Sequence, residues 1–242
     1  MRHCLTAGMA LMLSASAAAD AQPKNAAPEK IAAFNAMILT PAGALPQIVH
    51  VQRSVGGASL ADVALRYGRY NFRDPSLAFD NVGFSAAAHA GRRLQVGGTI
   101  ARRSCNGCQG VTMGSADIAF SLFRKGAEGD IGGDTDLGLQ LSAGLGKLHN
   151  SDVSARSVML SAPLAISLPQ AESSLLTLFV SPSIAYGRFT NVTTDGATIG
   201  MIGAGAGYTF DFGLGAHAAL HRILVEDSPT QFGFGISYQF GR

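Results

Sequence analysis

The chain has 242 residues and a formal net charge of +2; 47% of its residues are hydrophobic and only 14% charged, with 30 Gly, no Trp and a mean hydropathy of +0.22. Soluble domains carry about 25% charged residues, so this is not an ordinary soluble composition, and the length fits a single barrel as well as one or two soluble domains. The near-neutral charge argues against nucleic acid, or any other polyanion, as the dominant partner.

Met1 to Cys4 carries one positive charge and leads into the apolar run Leu5–Leu13, then the small residues Ser14–Ala19. These are the three regions of a secretory signal peptide. Ala19-Asp20-Ala21 supplies the cleavage pattern, which makes residues 1–21 the signal, with cleavage after Ala17 or Ala19 as alternatives. Cys4 precedes the apolar run instead of following it, so it is not a lipoprotein anchor. Residues 22–57 then read as a periplasmic N-terminal linker, opening with Pro23 to Lys30; Ile31–Leu39 fits a short helix, and Pro41 and Pro46 mark breaks. Gln47 to Val55 alternates and is compatible with an extension of the first strand.

From residue 58 onward no run is long and apolar enough for a membrane helix. Ser157–Leu168 and Leu175–Tyr186 are short and interrupted. A period of two takes its place. Leu137, Leu139, Leu141, Ala143 and Leu145 alternate with Gly138, Gln140, Ser142 and Gly144, and Val158 to Ile166 and Phe212 to Leu220 repeat the rhythm. Ten strands are predicted, near 58–71, 81–90, 93–103, 113–124, 135–148, 154–168, 173–189, 197–210, 212–223 and 231–240. Tight inner turns are expected at Gly91-Arg92 and Asp211. Arg124 to Asp134 is long for an inner turn, which keeps eight strands open. One greasy and one small or polar face, with few helices to cover the first, implies an all-β, closed antiparallel up-and-down transmembrane β-barrel over 58–242.

The final strand carries a resemblance. Phe232, Phe234, Ile236, Tyr238 and Phe240 are similar to the C-terminal strand of the outer-membrane β-barrel superfamily, whose alternating apolar residues and terminal aromatic are recognised by the barrel-assembly machinery. The resemblance implies the bacterial outer membrane as location, with its lipid and that machinery as partners.

Several residues are candidates for chemistry. Cys105 and Cys108 lie in a polar loop of an exported chain, and a structural disulfide is the expected state. A redox or metal reading of the CxxC lacks its context. So small a ring contributes about 2 kcal/mol. His149 and Ser151 have the His-x-Ser spacing that resembles the lipid A deacylase and outer-membrane phospholipase families, but no Asp, Glu or Asn in Val158–Leu168 orients the imidazole. Asp134-Thr135-Asp136 resembles the aspartate pair of the omptin proteases, without their Asp-x-His element. His217 and His221 share one face of a strand about 13 Å apart, too far to hold one metal. With Asp62, Arg66, His89, Arg93, Asp117 and Gln140 they are predicted to line the lumen. No cofactor, metal or catalytic machinery is expected. The reading is a barrel with a structural or interaction role, or a narrow passive channel for small solutes. The alternatives are a lipid hydrolase using His149 and Ser151, and a surface barrel that binds ligands or adheres.

Overall fold

The computed structural model describes residues 28–46, 60–70, 78–90, 93–104, 110–125, 134–170, 174–191, 195–226 and 228–240. The signal region, Gln47 to Val55, the Gly91-Arg92 turn and both Cys105 and Cys108 lie outside them. Among the described residues no helix is long and apolar enough to cross a membrane.

The strands are β1 (Ala61–Tyr70), β2 (Phe79–Ala90), β3 (Leu94–Ser104), β4 (Val111–Lys125), β5 (Asp134–Leu148), β6 (Ser154–Ser161), β7 (Leu164–Pro169), β8 (Leu175–Thr190), β9 (Ala197–Thr209), β10 (Leu214–Leu224) and β11 (Thr230–Phe240). Each is antiparallel to its neighbours, and β1 pairs with β11 from Ala61↔Phe240 to Tyr70↔Gln231, which closes the ring and leaves no free edge. β6 and β7 both lie between β5 and β8. They are two halves of one position in a ten-stranded barrel, interrupted at Ala162-Pro163, where proline has no N–H to give the ladder. The carbonyl of Pro163 still accepts from Gly138 N, at 2.8 Å, and Ala162 N donates to Pro182 O at 2.9 Å. The eight-strand alternative is thereby removed. At Asp211 the predicted turn is present, tightened by Gly213 at φ +97°, a conformation that favours glycine.

Burial alternates residue by residue along the strands. Val158 is 50% exposed while Ser157 is 4% exposed, and Phe234 is 50% exposed between two inward glycines. Leaving one such large apolar side chain in water forfeits about 1.5–3 kcal/mol, and here they form a continuous band around the outside. Hydrocarbon is the solvent that such a band requires, and a closed ladder is the only sheet that hydrocarbon tolerates. The chain is a transmembrane β-barrel.

The interior is not empty. Helix α1 (Pro28–Ile38) starts on a proline with Glu29 in its first turn, both favourable at a helix N-terminus. A short α2 (Pro41–Ala44) follows. Ala33, Phe34, Ala36, Met37, Ile38, Leu39, Ala44 and Leu45 are buried in one cluster with side chains from β1, β3, β4, β5, β6, β8, β9 and β10. This corrects the linker expectation for residues 28–46. Their apolar side chains find a dry surface inside the ring, so the segment packs there instead of staying solvated outside.

Candidate functional site in the lumen

Strand order defines two ends of the barrel. One holds the start of β1 and the end of β11; the other, here the distal end, holds the connections β1–β2, β3–β4, β5–β6, β8–β9 and β10–β11. The residues that receive the N-terminal segment, among them Tyr70, Arg103, Met113, Leu148, Ala155, Ile199, Ile223 and Gln231, all stand within a few positions of the distal strand ends. The segment therefore plugs the distal part of the lumen.

Two features make the fit specific. The first is a set of donors that meet the plug's backbone carbonyls. The Arg103 guanidinium donates to Ile38 O at the C-terminal end of α1, where carbonyls lack helical partners and a cation opposes the helix dipole. Its Nε donates to Asn81 Oδ1 at 2.9 Å, and it sits 4.8 Å from the Phe79 ring centre. Tyr70 OH donates to Gly43 O, Gln231 Nε2 to Ala44 O, and Arg66 Nη1 to Pro46 O at 3.4 Å. Ser157 Oγ donates to Thr40 Oγ1 at 2.8 Å. The second is close approach at inward glycines. A Cβ at Gly146 would lie 1.7 Å from Leu39 O, and one at Gly233 would lie 2.3 Å from the Pro46 ring. No side chain fits at either place while the plug is seated.

Beneath the plug is a polar cavity of about 50 Å³ lined by Asp62, Arg66, Ser85, Thr99, Asp117 and Gln140, roofed by Pro41, Ala42 and Leu45. That is room for about three waters. Arg66 Nη2 donates to Thr99 Oγ1, while Arg66 Nε and Ser85 Oγ meet no acceptor or donor among the described residues. Asp62 Oδ2 lies 2.8 Å from His89 Nε2, with both side chains almost wholly enclosed. Four of the residues predicted to line the lumen thus share one chamber, and His89 joins them through Asp62. His217 and His221 are also buried on the inward face, and His221 Nδ1 lies 3.4 Å from Gln231 Oε1. Arg93 is a correction: it has the inward parity of Gln95, but β3 begins only at Leu94, so Arg93 is exposed in the turn.

His149 and Ser151 each bond to a group other than one another. His149 Nε2 lies 2.9 Å from Thr112 Oγ1, and Ser151 Oγ accepts from Val153 N at 3.1 Å in a tight loop. Asp136 accepts from Ser121 Oγ at 2.8 Å, in the region that pairs with the end of β4. Among the described residues no group of three or more His, Cys, Asp or Glu could hold a metal ion. The residues that seat the plug, Tyr70, Arg103, Gly146 and Gln231, were not singled out from sequence. Their common signal is large polar or absent side chains at inward positions near the distal strand ends.

No protein-family model matches the chain, and no curated protein matches it in sequence. Similar solved structures include a bacterial polysaccharide outer membrane secretin at 10% identity and TM-score 0.41, covering 75% of this chain and 65% of that one. The chain thus spans just under two thirds of that neighbour. A KdgM porin is similar at 9% identity and TM-score 0.37, covering 74% of this chain and 99% of the other. The β domain of the Bordetella autotransporter BrkA is similar at 13% identity and TM-score 0.42, with 76% and 100% covered. Likeness at this level concerns the barrel fold and carries no residue roles.

Proposed function

We propose that this chain is a bacterial outer-membrane barrel, exported by its signal peptide and folded by the barrel-assembly machinery, with a structural or interaction role and a lumen shut at rest by its own residues 28–46. The observation that carries this reading is the plug: an apolar segment met by donors from β1, β3 and β11 and by glycines shaped to it. An open pore would leave those donors to water. No catalytic role is assigned, because His149 and Ser151 each engage another group. Cys105 and Cys108 are taken to close a disulfide, on the strength of their spacing in an exported chain.

The mature full chain in a planar bilayer tests the closed state. Silence or rare brief openings support it, and steady salt-dependent conductance steps would refute it. The polar chamber under the plug favours a second reading, a narrow small-solute passage that opens when the plug moves. Conductance that arises only in plug-displacing variants distinguishes the two.

A further inference from the structure

Outward-facing positions in a membrane barrel are expected to be apolar in the hydrocarbon and to change character where strands reach the headgroups. On one side of this barrel the change is to positive charge. Arg102 on β3, Lys147 on β5, Arg156 on β6 and Arg188 on β8 are all exposed, all at outward parity, and all near the distal strand ends.

The strand registers bring them together. Thr112 on β4 is the Cα partner of both Arg102 and Lys147, so the three form one row across β3, β4 and β5. Lys147 pairs with Ser154, two residues from Arg156, which makes Lys147 and Arg156 diagonal neighbours. Arg156 and Arg188 are direct Cα partners. Like charges directly opposite each other on one face destabilise a sheet unless something between them is negative. Among the described residues no carboxylate makes an ion pair with these four: Asp152, Asp195 and Glu226 are exposed at this end without doing so, and Asp80, a diagonal neighbour of Arg102 across β2 and β3, is engaged by Arg69 and Tyr67 on β1.

Immediately below each cation, toward the middle of the barrel, stands an exposed apolar side chain: Ile100 under Arg102, Leu145 under Lys147, Val158 under Arg156 and Tyr186 under Arg188. A ligand that matches both layers has a multiply anionic head and acyl chains. Guanidinium groups bind phosphate oxygens in bidentate fashion, which makes phosphate the best-fitting anion.

We propose that Arg102, Lys147, Arg156 and Arg188 form a docking site for a phosphorylated lipid headgroup of the surrounding leaflet, its acyl chains lying along the apolar residues beneath. The site rests on the membrane placement proposed above and is independent of the plug. Basic residues at an anionic lipid surface each contribute about fivefold in affinity.

The test uses the mature full chain folded in maltoside micelles and titrated calorimetrically with three probes: diphosphorylated lipid A, the same lipid stripped of phosphate, and inorganic phosphate. Saturable binding of the diphosphorylated lipid alone is expected, about thirtyfold weaker for the double variant R156Q/R188Q and within twofold of the parent for R222Q on β10. Each single variant, R156Q or R188Q, is expected to lose about fivefold, which keeps the test in force if the double variant fails to fold. R188Q should also melt higher than the parent in phosphate-free detergent, because it removes the repulsion. Equal binding of the stripped lipid, equally tight binding of inorganic phosphate, or parent-like affinity in the R156Q/R188Q chain would overturn the site. A mature chain that stays monodisperse without detergent would overturn the membrane placement as well.

Discussion

Gly146 is the most discriminating single position in the lumen. A methyl group there would stand 1.7 Å from Leu39 O, about half of an ordinary contact distance, and the atom it meets is backbone rather than the end of a flexible side chain. Either the plug backs away or the β5 wall distorts. Overpacking of this kind costs about 1–3 kcal/mol, and charged to the seated state alone it shifts the seated-to-displaced ratio about 5- to 150-fold. G146L removes the seated geometry altogether, since its side chain fills the space of residues 38–40. The readout is twofold: chymotryptic cutting at Phe34, Leu39 and Leu45, which are buried when the plug is seated, and single-channel recording. The control is G207A, whose added methyl would meet only ordinary contacts, at 3.5 Å from His217 Cβ and 3.6 Å from Ala216 O. G146A is expected to raise both cutting and open time, G146L more so, and G207A neither. A G146L barrel that folds, protects Phe34 and stays electrically silent like the parent would refute the plug.

Three further outcomes follow from the same structure. R103M removes the guanidinium from Ile38 O and from the Phe79 ring, and should lower the melting temperature by an amount corresponding to about 1.5–3 kcal/mol, with increased cutting at Phe34; an unchanged melt would show that the C-terminal end of α1 needs no cation. F234R places a charge on the lipid face midway along β11 and should cost about 2–4 kcal/mol in urea-induced unfolding from vesicles, against a small effect for T230R at the strand end. S151A should leave lipid and ester hydrolysis at background, equal to the parent, because Ser151 Oγ is engaged by Val153 N and not by His149; turnover in the parent that this substitution abolishes would restore the hydrolase alternative.

Much of the barrel was readable because its exterior obeys one local rule. Along Val158–Ile166 or Phe232–Phe240 the side-chain period sets which face meets lipid, and no distant residue has to be known. The turn at Asp211 was readable for the same reason. Arg93 was misplaced because parity alone does not say where a strand begins, and one residue of overrun carries a predicted lumen residue into solvent. The plug was invisible for a different cause. Residues 31–45 are apolar enough to pack but too short to signal a domain, and the donors that hold them, Tyr70, Arg103 and Gln231, become neighbours only when the ring closes. Gly146 and Gly233 look like ordinary small inward residues until the backbone that presses on them is known. The basic patch shares this property: Arg102, Lys147, Arg156 and Arg188 are scattered over four strands, and only the register of β3 to β8 makes them adjacent.

The account stands on hydrocarbon contact at alternate residues of a closed sheet. Nitroxide labels at Val158 and Ser157, one at a time in the barrel in lipid vesicles, test it most directly through collision with oxygen and with a water-soluble nickel chelate. The label at 158 should collide readily with oxygen and hardly with nickel, and the label at 157 should be shielded from oxygen by the barrel wall. Equal oxygen collision at the two sites, or strong nickel collision at 158, would contradict it.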